Sequence, residues 1–249
     1  MVNTLGIVEV RLGTGQFDSK IGRKLGGKSL LEWAVRRATD CQRLDGVVAL
    51  VGNSCQVEVV RALVPPDVSV FAPAGHDPLA RFAATLDEFK ACSAVRICAD
   101  HPFVDPVLID RLVSTADAHP NCDYISYRGA DGRPAILTPV GLLAEWCSAD
   151  SLRRANQQAR RIADREHVTA YLYAHPELFN VRLLPLPVEL DREDLRLKID
   201  FEEDWEHAQV IYEALGSDEW DWQRIADLLD HQPALRKRMA LLNRAKAVL

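Results

Sequence analysis

The sequence lacks any cluster of cysteine and histidine residues. Its six cysteines are scattered at positions 41, 55, 92, 98, 122 and 147 without a CxxC pair, and several lie inside apolar runs. This distribution excludes a zinc-finger or disulfide-framework protein and is typical of reduced core cysteines in a cytoplasmic protein. A cationic leader and an apolar run of about 18 residues are also missing. We therefore expect a soluble, cytoplasmic protein with no membrane contact.

An excess of positive charge is absent too. The 249 residues include 30 Lys and Arg against 36 Asp and Glu, a formal net charge of −6. This balance offers no basic surface to a nucleic-acid backbone, so we expect no nucleic-acid partner, and a phosphorylated substrate would need a local cationic pocket. With 48% apolar residues and only 13 glycines and 13 prolines, the length suits a single domain over residues 1–249.

Short apolar runs rich in β-branched residues alternate with helical patterns in the first half of the chain. Strands are predicted at residues 5–10, 46–51, 68–73, 94–99 and 122–127. Helices, marked by apolar residues at three- and four-residue spacing, are predicted at residues 29–41, 56–64, 77–92 and 105–119. Asp77 and Asp105 suit the N-termini of the last two helices. The alternation predicts an α/β fold whose largely parallel sheet is covered on both faces.

The pattern changes after residue 140. A polar stretch at 148–167 is followed by strand candidates at 180–187 and 195–200, and a closing helical region begins at residue 202. Because the sequence contains no internal repeat and no low-complexity linker, we expect this second part to extend the same sheet.

A glycine-containing loop follows the first predicted strand. Gly13, Thr14 and Gly15 let backbone N–H groups approach an anion closely, while Arg11 and Lys20 supply positive charge. Together they could hold a triphosphate. An ordinary strand-to-helix loop with solvated basic residues has the same composition, and the loop matches neither the Walker A nor the GxGxxG pattern.

The stretch VRICADHPFVDP (95–106) places Asp100 directly after a strand. A functional carboxylate at the end of a buried parallel strand gives this pattern, and so does a solvated turn. Arg96 on the same strand is a candidate buried partner for an acid. Lys198 stands two residues before Asp200, so the strand period predicts that both side chains share one face. That position makes Lys198 a candidate for phosphate binding.

Five segments, taken in order, resemble the cytidylyltransferases that make CMP-activated acid sugars, a group that includes the KDO and sialic acid cytidylyltransferases. The similarity is greatest to the spore-coat-polysaccharide branch. The segments are IVEVRLGTGQFDSKIGRKLGGKSLLEWAVRRA (7–38), DPLARF (77–82), VRICADHPFVDPVLID (95–110), REHVTAYLYAHPELF (165–179) and LRLKIDFEEDWEHAQVIYEAL (195–215). The resemblance spans nearly the whole chain and is weakest at about residues 127–160.

The resemblance implies an enzyme with a three-layer α/β/α, Rossmann-like fold of the nucleotide-diphospho-sugar transferase type and a mostly parallel mixed sheet. Its implied activity is that of a Mg²⁺-dependent nucleotidyltransferase that transfers CMP from CTP to a small acidic acceptor, by default an acid sugar, and releases pyrophosphate. Residues 1–120 would bind the nucleotide, residues 121–215 would bind the acceptor and supply the second metal aspartate, and residues 216–249 would form a helical tail. The resemblance also makes a homodimer an expected assembly of this protein.

The same resemblance implies the site residues. Asp100 and Asp200 would hold Mg²⁺, which commonly takes only one or two protein carboxylates, so two acids a hundred residues apart can form one site. The implied catalytic residues are Arg11, Lys20, Asp100 and Asp200. The implied nucleotide-binding residues are Arg11, Leu12, Gly13, Thr14, Gly15, Lys20, Arg81 and Asp100. The acceptor-binding candidates are Arg133, Arg165, Glu166, His167 and Lys198.

Several assignments keep a structural alternative. Arg81 is equally typical of an exposed helical arginine. The REHVT segment (165–169) could orient the acceptor, brace the sheet or cap a helix. Asp105 is better explained as the N-cap of the following helix than as a ligand.

The sequence departs from the family pattern at three places. The second arginine of the phosphate loop is Gln16, the Pro-Gly pair before the lysine is Asp18-Ser19, and the segment that usually shapes the sugar site is GADGRPAILTP (129–139). A lost guanidinium and an added carboxylate weaken the electrostatic case for triphosphate binding. Three alternatives therefore stay open: a small phosphonate or phosphorylated acceptor, a catalytically drifted nucleotide-binding protein, and preference for another base.

Overall fold

The computed structural model describes residues 2–11, 20–75, 77–216 and 220–246. Its strands are β1 (Val2–Val10), β2 (Lys24–Leu25), β3 (Lys28–Ser29), β4 (Gly46–Val51), β5 (Ser69–Phe71), β6 (Ala91–Cys98), β7 (Tyr124–Arg128), β8 (Glu145–Ser148) and β9 (Val181–Pro185). Its helices are α1 (Leu30–Thr39), α2 (Val57–Arg61), α3 (Pro78–Glu88), α4 (Pro106–Ala118), α5 (Ala149–Gln158), α6 (Ile162–Glu166), α7 (Ala170–Ala174), α8 (Glu202–Leu215), α9 (Trp222–Asp230) and α10 (Pro233–Lys246).

Seven strands form the main sheet in the order β5-β4-β1-β6-β8-β7-β9. Strands β5, β4, β1 and β6 pair in parallel, as do β7 and β9. Strand β8 runs antiparallel to both of its neighbours, β6 and β7. The predicted α/β class and mostly parallel mixed sheet are therefore confirmed.

The main sheet is buried on both faces, as its apolar strand sequences predict. Alternate residues of β1 point to opposite sides, so that Val8 and Val10 join one apolar cluster while Leu5 and Ile7 join another. Strand β4 divides in the same way between the two clusters. A two-sided core of this kind explains why the first strands read as continuous apolar runs rather than as alternating ones.

Two helices begin at the predicted aspartates. Oδ1 of Asp77 accepts a hydrogen bond from the backbone N of Ala80 (2.9 Å) at the start of α3. Oδ1 of Asp105 accepts from the backbone N of Leu108 (3.0 Å) at the start of α4. Each helix also has a proline in its first turn, and the φ angle of proline is fixed at a value that suits a helix. Both helix starts therefore combine an acidic N-cap with a proline.

One prediction about strands was wrong, and one strand was missed. Residues 195–200 form no strand, because their backbone N–H groups bond to loops: those of Leu197 and Lys198 donate to the carbonyl of Pro139 (3.0 and 3.2 Å). Strand β8 was not predicted at all. It is only four residues long and begins with a glutamate, which is not typical of a buried strand.

The parallel strands β1 and β6 end at the same edge of the sheet. Arg11 follows β1, and Asp100 follows β6. None of the described helices is both long and apolar enough to span a membrane.

Candidate functional site

Two adjoining cavities open at the carboxyl ends of β1 and β6. The first, of about 350 Å³, is lined by sixteen residues that include Lys20, Asp100 and Lys198. The second, of about 480 Å³, is lined by residues that include Arg81, Glu166 and His167. Glu9, Arg11 and His167 line both cavities, so the two spaces share one wall. This is the edge at which open α/β sheets usually bind ligands.

Two carboxylates and two ammonium groups meet beside the first cavity. Nζ of Lys20 lies 3.6 Å from Oδ2 of Asp100 and 3.6 Å from Oδ1 of Asp200. Nζ of Lys198 lies 3.3 Å from Oδ2 of Asp200 and 3.9 Å from Oδ2 of Asp100. The two aspartates, a hundred residues apart in sequence, therefore share both lysines.

Backbone contacts hold this cluster together. The carbonyl of Asp100 accepts a hydrogen bond from the backbone N of Ile199 (3.1 Å), and the carbonyl of Ile199 accepts one from Nζ of Lys20 (2.9 Å). Just after it, the backbone N–H groups of Asp200 and Phe201 both donate to Oδ2 of Asp204 (2.9 Å each). The segment at 195–200 is thus fixed at the sheet edge without belonging to the sheet.

The cluster holds the Asp100 carboxylate in the charged form. Burial alone would raise the pKa of Asp100, but the neighbouring His101, Lys198 and Lys20 outweigh it and lower that pKa. Burial likewise acts to lower the pKa of Lys198, while Asp100 and Asp200 raise it above its ordinary value. The expected state at neutral pH is therefore an ionised Asp100 facing a protonated Lys198.

A buried ionic network lines the first cavity and reaches the second through Glu9. Arg96 donates to Oε2 of Glu9 from Nε (2.9 Å) and to Oε2 of Glu145 from Nη1 (2.7 Å). Oε1 of Glu145 accepts from the hydroxyls of Tyr124 and Thr169. Because every one of these side chains is buried, the network satisfies charges that would otherwise be costly to place inside the protein. The buried acid partner proposed for Arg96 is confirmed, and there are two.

The network continues to the cavity surface through Arg11. Its Nε donates to Oε1 of Glu9 (2.8 Å), and its Nη2 donates to the carbonyl of Glu166 (2.9 Å). Burial acts to raise the pKa of Glu9, but Arg96 and Arg11 outweigh it and lower that pKa. Arg11 is therefore held by one buried carboxylate and one carbonyl while its guanidinium faces both cavities.

The structure brings together most, but not all, of the predicted site residues. Arg11, Lys20, Asp100, His167 and Lys198 line the first cavity, with Asp200 beside it. The residues Arg11, Arg81, Glu166 and His167 line the second cavity. Lys198 is near Asp200 as predicted, although the reason is a loop packed against the sheet edge and not a strand period. Leu12, Gly13, Thr14 and Gly15 lie outside the described residues.

Two acceptor-binding candidates are not brought to either cavity. Arg133 is exposed in the turn after β7 and is absent from the described lining of both cavities. Arg165 instead links the start of α3 to the end of α5. Its Nε donates to Asp77 (2.8 Å), and its terminal nitrogens donate to Asn156 and to the carbonyl of Ala159 (3.0 Å). The bracing alternative for Arg165 is therefore the one that its contacts support.

Sequence reasoning missed Glu9, Glu145, Cys98 and His101 as lining residues. One signal was available for Glu9, since a single acid inside the apolar strand IVEV needs a buried cationic partner. Glu145 carried no comparable signal because its strand was not recognised. Cys98 was assigned to the core, yet it is half-buried and reaches the cavity. Burial raises the pKa of its thiol to about 12.

A mainly parallel sheet whose carboxyl edge gathers carboxylates and cations is the architecture of a nucleotide-handling α/β enzyme. The chain belongs to the cytidylyltransferase family, whose model matches residues 5–244. It is therefore a nucleotidyltransferase, and the predicted family resemblance is confirmed.

Two curated relatives match most of the chain. An uncharacterized protein of Methanocaldococcus jannaschii is 30% identical over 236 residues, 93% of this chain and 92% of that protein. The spore coat polysaccharide biosynthesis protein SpsF of Bacillus subtilis is 28% identical over 222 residues, 87% of this chain and 89% of that protein.

Solved structures share the fold. A cytidylyltransferase from Leptospira borgpetersenii superposes with a TM-score of 0.78 at 20% identity and covers 94% of this chain and 95% of its own. The structure of CMP:2-keto-3-deoxy-manno-octonic acid synthetase complexed with CTP superposes with a TM-score of 0.64 at 12% identity, over 85% of this chain and 99% of its own. At these identities the likeness concerns the fold, which is the predicted nucleotide-diphospho-sugar transferase type.

Proposed function

We propose that the protein is a Mg²⁺-dependent cytidylyltransferase that transfers CMP from CTP to an acid sugar or a related small anionic acceptor and releases pyrophosphate. One observation carries the proposal. Asp100 and Asp200 converge on the same two lysines at the sheet edge, each within 4 Å of both ammonium groups. Two convergent carboxylates flanked by cations suit a metal–triphosphate complex.

The donor set at this position fits Mg²⁺. Both aspartates offer hard carboxylate oxygens, and both are partly exposed, with side chains 20% and 30% accessible. Asp100 and Asp200 would hold the ion, leaving its other positions to phosphate and water. When bound, the ion would offset the negative charge that shifts onto the leaving pyrophosphate.

The protein's own cations would position the triphosphate. Lys20 and Lys198 already face the carboxylates, and Arg11 is oriented between the two cavities by Glu9. The second cavity, which contains Arg81 and the amide side chains of Asn53 and Gln56, would receive the nucleoside. In the reaction an acceptor oxygen bonds to the α-phosphorus and its proton is lost. The bond from that phosphorus to the β-phosphate oxygen breaks, and pyrophosphate departs.

The first cavity would receive the acceptor. Its lining contains four cationic side chains, Arg11, Lys20, Arg96 and Lys198, against three carboxylates, Glu9, Asp100 and Glu145. Since Arg96 is occupied by its two glutamates and Lys20 and Lys198 would face the triphosphate, Arg11 and His167 are the lining groups that would face an acceptor anion. Nine of its sixteen described lining residues precede residue 120 and seven follow it, so both parts of the chain contribute to this cavity.

Pyrophosphate release tests the proposal. The purified protein would be incubated with CTP, Mg²⁺ and a panel of acceptors that includes acid sugars, small phosphonates and phosphorylated alcohols. We expect release with at least one class and loss of release in Asp100→Asn. CTP binding that is indifferent to Asp100→Asn, with no turnover on any acceptor, would instead identify a nucleotide-binding protein without catalysis. Competition among the four nucleoside triphosphates would test the base.

A further inference from the structure

A second set of metal-binding atoms surrounds Asp100. Sγ of Cys98, a carboxylate oxygen of Asp100 and an imidazole nitrogen of His101 all lie within 4.8 Å of one another. All three side chains line the first cavity, so an ion in solution has a path to them. The set combines a thiol, a carboxylate and an imidazole, whereas the Asp100–Asp200 pair offers only oxygens.

The two oxygens of Asp100 face different groups. Oδ2 faces the ammonium groups of Lys20 (3.6 Å) and Lys198 (3.9 Å). Oδ1 faces Nε2 of His101 at 3.8 Å. The carboxylate therefore stands between a hard-ligand side, which it shares with Asp200, and a soft-ligand side, which it shares with Cys98 and His101.

The soft-ligand side is built on a fixed turn. The backbone N of His101 donates to the carbonyl of Cys98 (3.1 Å), which closes a turn over residues 98–101. The backbone N of Ala99 donates to the backbone carbonyl of Glu9 on β1 (3.2 Å). The backbone N of Val104 donates to the backbone carbonyl of His101 (3.1 Å). Because these bonds hold the backbone, the three side chains are brought together before any ion arrives.

His101 is incompletely satisfied by the protein. Its side chain is 4% exposed, and its Nδ1 has no hydrogen-bond partner among the described residues. The 3.8 Å separation between its Nε2 and Asp100 is too long for a hydrogen bond. The ring nitrogen that faces Asp100 is Nε2, and a backbone hydrogen bond with Leu143 also acts on the ring. An ion bound beside Asp100 would therefore take Nε2, which the protein leaves at a distance too long for a hydrogen bond to that carboxylate.

We propose that Cys98, Asp100 and His101 form a Zn²⁺ site that is separate from the Mg²⁺ position. Thiolate, carboxylate and imidazole are the ligands that zinc takes in proteins, typically three of them with one position left to water or substrate. A tetrahedral site with bonds of about 2.0–2.3 Å has ligand atoms about 3.3–3.7 Å apart. Side-chain rotations are enough to reach that spacing from separations of at most 4.8 Å.

The charge balance of the site is favourable. On binding, Zn²⁺ replaces the thiol proton of Cys98, and the proton leaves to solvent. The dication then faces one thiolate and one carboxylate, which together carry two negative charges. The bound site is neutral, so the nearby ammonium groups of Lys20 and Lys198 oppose it less than they would oppose an uncompensated dication.

Zinc at this turn would inhibit the enzyme, a consequence that rests on the proposed function. Zinc draws the Asp100 carboxylate toward Cys98 and His101, and the same carboxylate is then not available to orient Mg²⁺ with Asp200. Inhibition by zinc should therefore persist in excess Mg²⁺ and be relieved by a chelator. Hard cations such as Ca²⁺ should not reproduce it, because they bind thiols poorly.

Cobalt spectroscopy tests the site without any turnover. Co²⁺ replaces Zn²⁺ and gives a near-ultraviolet absorption band when it is bonded to a thiolate. Titration of the full-length protein should give this band with a one-to-one end point, and added Zn²⁺ should remove it. Cys98→Ser should abolish the band. His101→Asn should weaken Co²⁺ binding by at least about tenfold, the range that even indirect perturbation of a ligand causes.

Cys92→Ser is the matched control, because Cys92 lies on the same strand β6 but is exposed and should leave the band unchanged. No band in the natural sequence, or a band that survives Cys98→Ser in a folded protein, would overturn the site. In the turnover assay, Cys98→Ser should retain a larger fraction of its own activity in Zn²⁺ than the natural protein does. If the protein catalyses no cytidylyl transfer, the proposed function fails while the cobalt result still decides the zinc site.

Discussion

At the scale of single residues, the site depends on a balance of two carboxylates and two ammonium groups. Lys20 and Lys198 each approach both aspartates, so no carboxylate is paired with only one cation. Such a shared arrangement lets a lysine turn toward a phosphate while the remaining lysine still faces the aspartates. The cluster can therefore exchange partners at small electrostatic cost.

Replacing either aspartate by asparagine should remove catalysis while leaving the fold intact. In Asp100→Asn and Asp200→Asn the metal position loses a charged oxygen, and we expect turnover to fall by at least about a hundredfold, the usual effect of losing one strong electrostatic contact to a transition state. Pyrophosphate release measures the effect. Asp117→Asn, at an exposed acid paired with Arg43, is the control and should keep full activity. Comparable loss in the control would contradict the assignment.

Arg165 should matter for stability and not for the substrates. Its guanidinium bonds to Asp77, to Asn156 and to the carbonyl of Ala159. Arg165→Ala leaves these acceptors without their donor, so we expect a loss of about 1–3 kcal/mol in urea unfolding with little change in the Kd for CTP. Arg133→Ala, at an exposed arginine, should change the unfolding free energy by less than about 0.5 kcal/mol. A weakened Kd with unchanged stability would show that Arg165 serves a ligand.

At the scale of elements, β1, β6 and β8 are joined by charge as well as by backbone pairing. Arg96 on β6 lies between Glu9 on β1 and Glu145 on β8, and all three are buried. The three strands therefore present a fixed floor from which Arg11 projects. Breaking this network should loosen the lining of both cavities together.

The network should make the free energy of unfolding depend on pH in the acid range. The folded-state pKa of Glu9 lies below its ordinary value near 4.5, because Arg96 and Arg11 outweigh the effect of burial. Its contribution to stability is fully present above pH 4.5 and is lost as the pH falls through the lower folded-state value. In Glu9→Gln, unfolding should be easier at neutral pH, and the difference from the natural protein should shrink on acidification. Urea unfolding at several pH values measures it; a difference independent of pH would contradict the account.

The elements also show which features the sequence could predict. Strands β1, β4 and β6 follow from β-branched runs, and the starts of α3 and α4 follow from acidic caps, because these signals are local. The extended segment at 195–200 has the composition of a strand, but its hydrogen-bond partners lie in loops far away in sequence. Strand β8 is specified by its place between β6 and β7 and by the Arg96–Glu145 pair, neither of which is visible locally.

The same reasoning applies to the candidate site. Asp100 could be predicted from its position after a strand together with the family resemblance. The convergence of Asp200 with Lys20 could not be predicted from spacing, because it depends on how a non-strand segment packs at the sheet edge. Arg133 was assigned to the acceptor from its segment alone, and a residue in an exposed turn has no local signal that tells whether it faces a cavity.

At the scale of the whole molecule, the loop before β8 packs against the segment that carries Lys198 and Asp200. Gly141 has φ +69°, and a Cβ added there would collide with the backbone of Leu197 and Lys198. Nearby, the backbone N of Asp105 donates to the carbonyl of Leu142 (3.0 Å). Close backbone contact at Gly141 is thus part of what sets the position of the second aspartate.

Gly141→Ala should therefore damage both stability and activity. Left-handed backbone strain and overpacking each cost about 1–3 kcal/mol, so we expect unfolding to be easier by about 2–6 kcal/mol. Gly132→Ala is the matched control, since its φ is +81° but an added Cβ would meet nothing within 4 Å. Gly132→Ala should lower the free energy of unfolding only by the cost of the backbone strain, and it should keep its activity. Equal effects at both glycines would indicate that the contact at Gly141 has no special role.

A crystal structure with CTP and Mn²⁺ is the most direct test of the central claim, because Mn²⁺ takes the place of Mg²⁺ and is located by its anomalous signal. The account predicts one Mn²⁺ bonded at about 2.2 Å to an oxygen of Asp100, to an oxygen of Asp200 and to the nucleotide phosphates. Lys20 and Lys198 should then contact phosphate oxygens. A well-ordered CTP whose phosphates lie away from both aspartates, or an anomalous peak that touches neither carboxylate, would contradict it.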